Sequence, residues 1–320
     1  MKRFLLLPAL ALALVAASCG KEEPAGVDGD AVGGKVTLRV TVGEPATRAT
    51  GSYDVNEKRV ASVQVFCFDK TTGVREDYES ATGQSLTLQI TTGVKRIYAL
   101  ANCPDLSSVT TESALLAAAT GFADNSTEGF VMVSPTGSAA EKVITESGDI
   151  TLAVKRVVAK ILVDKLTASF EQASLRPLDF VIKKIYLGNV AKSNNYGLTA
   201  MPNEYYQGSD NNGDKVNGMI AESGLSYNLK NGGTSDVKHG FYAYPNSSSN
   251  ATKVIIEATL KGEDQIFAFN LPALERNKVY EVQNIMFTKP STDDMFADVK
   301  VTITVADWDE TTVLTDGFTY

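Results

Sequence analysis

The sequence predicts an all-β fold: two antiparallel β-sandwich domains with little helix. Three observations carry this. Short runs rich in Val, Ile, Thr, Tyr and Phe recur along the chain between clusters of Gly, Asn, Asp and Ser, the spacing of strands and turns in a sandwich. Several runs alternate apolar and polar residues with period two, as half-buried strands do, whereas a helical run is confined to SALLAAATGF (113–122), enough for a turn or two. About 285 residues follow the N-terminal leader and its tether, more than one core needs and suited to two domains.

The leader comes first. Lys2 and Arg3 precede an apolar stretch from Phe4 to Ala17, too short and too rich in small residues for a membrane span. It ends in AASCG, with Cys19 directly after Ala16, Ala17 and Ser18. Small residues before a cysteine suit lipoprotein signal peptidase. Residues 1–18 therefore read as a lipoprotein signal peptide and Cys19 as the lipidation site, although Ala16 stands where Leu is usual. An ordinary signal peptide that contains Cys is the alternative. Two or three acyl chains, at about 0.8 kcal/mol per buried CH₂, anchor stably, which points to an outer-membrane lipoprotein precursor. Lys21-Glu22-Glu23 resembles the surface-export signal of Bacteroidetes lipoproteins. Residues 19–34, rich in Gly, Glu and Asp, read as a flexible tether.

The first strand is KVTLRVTV (35–42). Val36, Leu38, Val40 and Val42 share one face, and Thr37, Arg39 and Thr41 the other. GEPATRATG (43–51) follows. Gly-Glu-Pro stops the strand, and Arg48 then stands among small residues with Ala49 after it. Strand-like segments continue at 60–69, 85–90, 95–102, 130–134, 150–166, 179–190, 239–245, 253–260, 265–271, 278–288 and 299–308. Within 150–166 the apolar phase changes. Ile150, Leu152 and Val154 fall on even numbers, and Val157, Ala159, Ile161 and Val163 on odd ones. A strand cannot do that without switching its buried face, so a bulge or bend is expected near Lys155–Arg156. TASFEQASLRP (167–177) interrupts the series. This divides the chain into an N-terminal domain over 35–170 and a C-terminal domain over 171–320. The longest segment without strand pattern is 191–218, and loops of that length in sandwiches usually decorate the surface or carry function.

The formal net charge is −8, and it becomes −10 when Lys2 and Arg3 leave with the leader. An acidic balance excludes nucleic acid as the expected partner and electrostatic docking on anionic lipid. Cys67 and Cys103 sit in no CxxC or Cys/His cluster, so they read as buried free thiols, with a disulfide as the alternative in an oxidising compartment. The single histidine, His239, has no GxSxG beside it. No P-loop, GxGxxG or HExxH occurs. Neither an enzyme nor a cofactor is expected. The one metal candidate is DNNGD, where Asp210, Asn212 and Asp214 have the 1-3-5 oxygen spacing of a calcium loop. It departs from that loop at two fixed positions, with Lys215 for Gly and Ala221 at the twelfth place. A polar turn is the simpler reading. Tyr205 and Tyr206 in the same loop are candidates for stacking on a sugar.

Seven pieces in order resemble one family. They are VASVQVFCFDKTTG, KRIYALANCP, LAVKRVVAKILV with Arg156, Ala159 and Lys160, FVIKKIYLGNV, GFYAYPNSSS, LERNKVYEV and VTITVADWDE. Behind a lipoprotein leader, the series is similar to the fimbrillins of Bacteroidales, type V pilins of FimA type. The resemblance implies transthyretin-like sandwiches, export as a lipoprotein, and a surface fimbria that serves adhesion. It implies cleavage by an arginine-specific protease after the first strand, release of that strand, and head-to-tail polymerisation by donor-strand exchange with identical or related subunits. Arg48 and Ala49 match the cleavage loop by position. Lys58-Arg59 is the competing site. Val36, Leu38, Val40 and Val42 then form the displaced strand. Val299, Val301, Ile303 and Val305, with the same spacing, form the expected donor strand, and 309–320 is the alternative donor. Having both a cleavage loop and a C-terminal strand argues for a stalk subunit over an anchor or a tip. The competing reading is a non-polymerising surface adhesin that binds a glycan or a host protein through 191–218.

Overall fold

The structure is a computed structural model and describes residues 33–43, 55–199, 202–207, 218–291, 299–308 and 313–319. It is all-β. The first strand, β1 (Lys35–Gly43), buries Leu38, Val40 and Val42 and half-buries Val36, as its alternation requires. Next come β2 (Ser62–Asp69), β3 (Arg75–Thr82), β4 (Ser85–Thr91) and β5 (Gly93–Ala101). One three-stranded sheet has β1 in the middle, antiparallel to β4 and parallel to Gly148–Ala153. A second sheet runs Lys155–Arg156, Met132–Val133, β5, β2, β3, with Glu141–Ile144 also paired to β5.

The remaining strands form two larger sheets. One has the order Thr234–Ser235, Leu166–Ala168, Lys278–Phe287, Ala159–Val163, His239–Ala243, and Val299–Asp307 and Val313–Thr319 extend it from Lys278–Phe287. The other is Ala221–Asn228, Phe180–Gly188, Lys253–Leu260, Glu263–Asn270. They meet through aromatic side chains: Phe180 and Phe267 lie edge-on to Phe287, at 5.0 and 4.8 Å between ring centres.

The phase change in 150–166 marks a hand-over between sheets. Gly148–Ala153 lies beside β1, Lys155–Arg156 pairs with Met132–Val133, and Ala159–Val163 pairs with His239–Ala243 and Lys278–Phe287. Residues 159–168 thus hydrogen-bond with the C-terminal strands, whereas the sequence reading grouped them with the N-terminal domain up to residue 170. The apolar stretch is three strands of different sheets, the last two joined at Val157–Val158, both buried. The helical run becomes a short helix, α1 (Glu112–Ala117), capped by the Thr111 hydroxyl, which accepts from the Ala114 amide. Part of the 191–218 loop is ordered by pairing. Val190–Ala191 pairs with Tyr205–Tyr206, and Ser193–Asn195 pairs with Ala119–Gly121 from the other half of the chain.

Cys67 and Cys103 are free thiols. Burial pushes each thiol up to about 12, where neutral pH leaves almost no thiolate. At pH 8, iodoacetamide is therefore expected to label the native protein about a thousandfold more slowly than the unfolded chain, the factor for a three-unit rise from the ordinary value. Rapid native labelling would contradict this placement.

Candidate functional site

β1 has hydrogen-bonded neighbours on both edges. Leu38 and Val40 lie opposite Leu88 and Leu86 of β4, and Val40 and Val42 lie beside Ile150 and Leu152. It is joined to β2 only through residues 44–61. Filling four apolar positions at about 1.5–3 kcal/mol each gives on the order of 6–12 kcal/mol. Removing β1 alone would therefore leave an apolar groove between two unpaired strand edges. β4 has an independent hold on its other side. The Gln89 amide donates to Asp77 Oδ2 at 2.5 Å, and the Thr91 amide donates to Glu76. The groove wall is thus tied to β3 whether or not β1 is present.

Arg48 and Ala49, the expected cleavage site, lie outside the described residues, as does Cys19. Arg48 is the only basic residue between Gly43 and Val55. Arg39 is inside β1, its backbone opposite Thr87 on one side and Asp149 on the other, so a protease meets a closed ladder there.

The expected donor residues are not free. Val299, Val301 and Ile303 are buried in Val299–Asp307, which pairs with Lys278–Phe287 on one edge and Val313–Thr319 on the other. That strand runs into Trp308, which is fully buried. The indole stacks on Tyr242 at 5.7 Å, meets Phe130 edge-on at 5.5 Å, and lies under the Arg156 guanidinium at 4.7 Å. Among the described residues, Val313–Thr319 pairs with Val299–Asp307 alone.

The strongest polar cluster gathers around Glu57, in the short 3₁₀ turn Val55–Lys58 that leads into β2. Glu57 is buried. Its Oε1 accepts from Lys160 Nζ at 2.6 Å and Tyr242 OH at 2.7 Å, and its Oε2 accepts from Trp308 Nε1 at 3.1 Å. Its carbonyl accepts from Arg156 Nε at 2.9 Å. Arg156 also donates to Asn277 Oδ1 at 3.0 Å, and the Asn277 carbonyl accepts from the Trp308 amide at 3.0 Å. Glu57, in the turn that follows loop 44–54, and Trp308, which precedes 309–320, therefore share a hydrogen bond. Buried charge of this kind is tolerated because every partner is satisfied, and breaking such a pair costs about 3–5 kcal/mol. Trp308→Ala removes the ring as well. It is expected to cost about 3–5 kcal/mol, read from denaturant unfolding, and a loss under about 1 kcal/mol would contradict the role given to this ring.

The remaining predicted residues play other parts. Asp210, Asn212 and Asp214 lie outside the described residues, and among the described residues no group of three metal-binding side chains is found. His239 is buried, with Nδ1 2.8 Å from Glu222 Oε2. Tyr205 and Tyr206 are half-buried. Tyr206 packs on Phe122 at 6.2 Å, and Tyr205 OH donates to the Pro202 carbonyl at 3.0 Å.

Sequence reasoning missed Glu57. Its signal lay elsewhere: Arg156 and Lys160 are cations inside an apolar run, and buried cations demand a carboxylate partner. The partner's position was not legible, because Glu57 is about a hundred residues away and outside any strand pattern.

Residues 35–151 match the sequence profile of the major fimbrial subunit protein (FimA) family. No curated protein sequence matches the chain. Solved structures share its fold. A fimbrilin (FimA) from Porphyromonas gingivalis W83 superposes with a TM-score of 0.61 at 14% identity, over 87% of this chain and 98% of that one. A candidate cell adhesion protein from Bacteroides eggerthii gives 0.65 at 15% identity, over 87% and 97%. The tip fimbrial protein Mfa3 from Porphyromonas gingivalis, with its C-terminus truncated, gives 0.51 at 15%, over 86% and 100%. The matched family is one of structural subunits, not of enzymes. Over residues 35–151 the chain is thus similar to the FimA major fimbrial subunit family, and its fold is that of the solved fimbrilin.

Proposed function

We propose that this chain is a stalk subunit of a surface fimbria, exported as a lipoprotein through Cys19 and activated by cleavage after Arg48. The observation that carries the reading is the position of β1. It is the middle strand of its sheet, yet only residues 44–61 join it to the rest of the fold. A single cut in 44–54 turns it from a covalent part of the core into a bound peptide. In a lipid-anchored chain that peptide stays with the membrane through residues 19–34, and the remainder is free to leave it. The vacated groove has unpaired main-chain groups on β4 and on Gly148–Ala153, so a strand from another copy completes the sheet. Such a contact is head-to-tail and propagates instead of closing.

The donor we favour is 309–320, in place of 299–305. Donating Val299, Val301 and Ile303 would expose three buried side chains at about 1.5–3 kcal/mol each and would pull on Trp308. Val313–Thr319 has one neighbour to leave. The test is to treat the chain spanning residues 19–320 with an arginine-specific protease. A new N-terminus at Ala49 and fibres in negative stain are expected. A stable monomer after that cut would refute strand exchange.

A second reading, adhesion through a neutral glycan, draws on a cavity of about 460 Å³ bordered by Asn194, Thr199, Tyr205, Asn246 and Asn250, with no charged side chain among the described residues that line it. It predicts saturable binding on a glycan array that Tyr205→Ala abolishes. Unchanged binding in that variant would refute this site.

A further inference from the structure

We infer that the Glu57 cluster, together with Asn102, acts as a processing stop that confines arginine-directed cleavage to loop 44–54. The inference rests on reading that loop as the processed one. It answers a question the processing model raises. Arg59 is exposed and lies only eleven residues beyond Arg48, so side-chain access alone does not protect it. A cut there would also remove Glu57 from the fold.

The protection is in the backbone. A protease takes its substrate as an extended strand, with main-chain groups on both sides of the scissile bond free to pair with the cleft. Around Arg59–Val60 five of those groups, the carbonyl of the scissile bond among them, are already taken. The Glu57 carbonyl accepts from Arg156 Nε at 2.9 Å. The Arg59 carbonyl accepts from Asn102 Nδ2 at 2.7 Å, and the Ala61 amide donates to Asn102 Oδ1 at 2.8 Å. The Ala61 carbonyl accepts from the Gly83 amide at 2.9 Å, and the Ser62 carbonyl accepts from the Asn102 amide at 3.1 Å.

Asn102 is set for this task. It holds a left-handed backbone with φ of 54°, a conformation asparagine tolerates better than most residues. Its Nδ2 also donates to the Phe130 carbonyl at 2.9 Å. Upstream, the Glu57 carboxylate pins the turn to Lys160, Tyr242 and Trp308. Opening Arg59 for cleavage thus requires breaking contacts to both halves of the molecule. Glu57 and Asn102 are positioning residues: they touch no scissile atom and act by holding the chain out of the protease's reach.

The experiment uses the chain spanning residues 19–320, native, with an arginine-specific protease, and the new N-termini are followed by mass spectrometry over time. The wild type is expected to give Ala49 and no Val60. Glu57→Ala and Asn102→Ala are expected to give Val60 at a rate at least tenfold above wild type. Glu57→Gln keeps the shape and an acceptor oxygen and is expected to fall between. Ile256→Ala, a core truncation in the Lys253–Leu260 strand, controls for general destabilisation and is expected to leave Arg59 resistant. A wild type cut after Arg59 as fast as after Arg48 would overturn the inference, as would folded Glu57→Ala and Asn102→Ala variants that stay resistant, or an Ile256→Ala control that opens Arg59 as much as they do. If the loop variants fail to fold, the wild-type time course and Glu57→Gln still decide it. A wild type that is not cut at Arg48 at all refutes the processing model, while release of Val60 in the variants alone still supports the stop.

Discussion

Arg48→Ala protein, incubated with an arginine-specific protease, is expected to remain monomeric under conditions that turn the wild type into fibres. The size of the effect follows from how β1 is held. Its four apolar positions contribute on the order of 6–12 kcal/mol. While 44–54 is intact, the strand is also tethered at an effective concentration in the millimolar range, as short flexible linkers give. An incoming strand from another molecule has to displace both the contacts and the tether. Cutting removes that link, and segment 19–34, anchored through Cys19, then keeps the strand at the membrane. No other basic residue lies between Gly43 and Val55, and Arg39 is locked in a two-sided ladder, so one substitution is expected to abolish assembly. Assembly of Arg48→Ala at the wild-type rate would place the release point elsewhere.

Ending the chain at Trp308 is expected to give the second large effect. The truncated subunit keeps Val299–Asp307, Trp308 and the Glu57 cluster, so it folds and melts within a few degrees of the wild type. After cleavage it accepts a strand from a whole subunit but has none to offer. Alone it stays monomeric, and mixed with whole subunits it ends the growing fibres, so mean fibre length falls as its share rises. A chain ending before Asp298 loses three buried branched side chains and Trp308 as well and is expected to unfold. Fibres from the chain that ends at Trp308 would show that the donor lies upstream of residue 309.

The sequence was most legible where burial is one-sided. β1 and the strands Lys253–Leu260 and Val299–Asp307 write their buried face into alternate residues, and their extents match the expectation within a few positions. Arg75–Thr82 and Ala221–Asn228 were invisible, because each lies at the edge of its sheet with most side chains toward water, and a polar strand has no pattern to read. The change of sheet near residue 157 showed in the sequence only as a change of apolar phase. Two strands of different sheets run together there without a turn residue between them. The candidate site divides in the same way. β1 was legible as a periodic pattern. The hold on Val299–Asp307 was not, because the same Val and Thr alternation describes β1 and this strand alike. What distinguishes them is Trp308 and its distant partners Glu57, Arg156 and Tyr242, a relation between residues far apart in the chain.

On the proposed mechanism β1 is a plug that must leave before subunits join. The most direct measurement is the intact mass of the subunit chains inside assembled fibres, after washing and dissociation in denaturant. A chain that begins at Ala49, with no peptide containing residues 35–43 retained in the fibre, is the predicted result. Fibres whose subunits still carry Lys35–Gly43 would contradict the account.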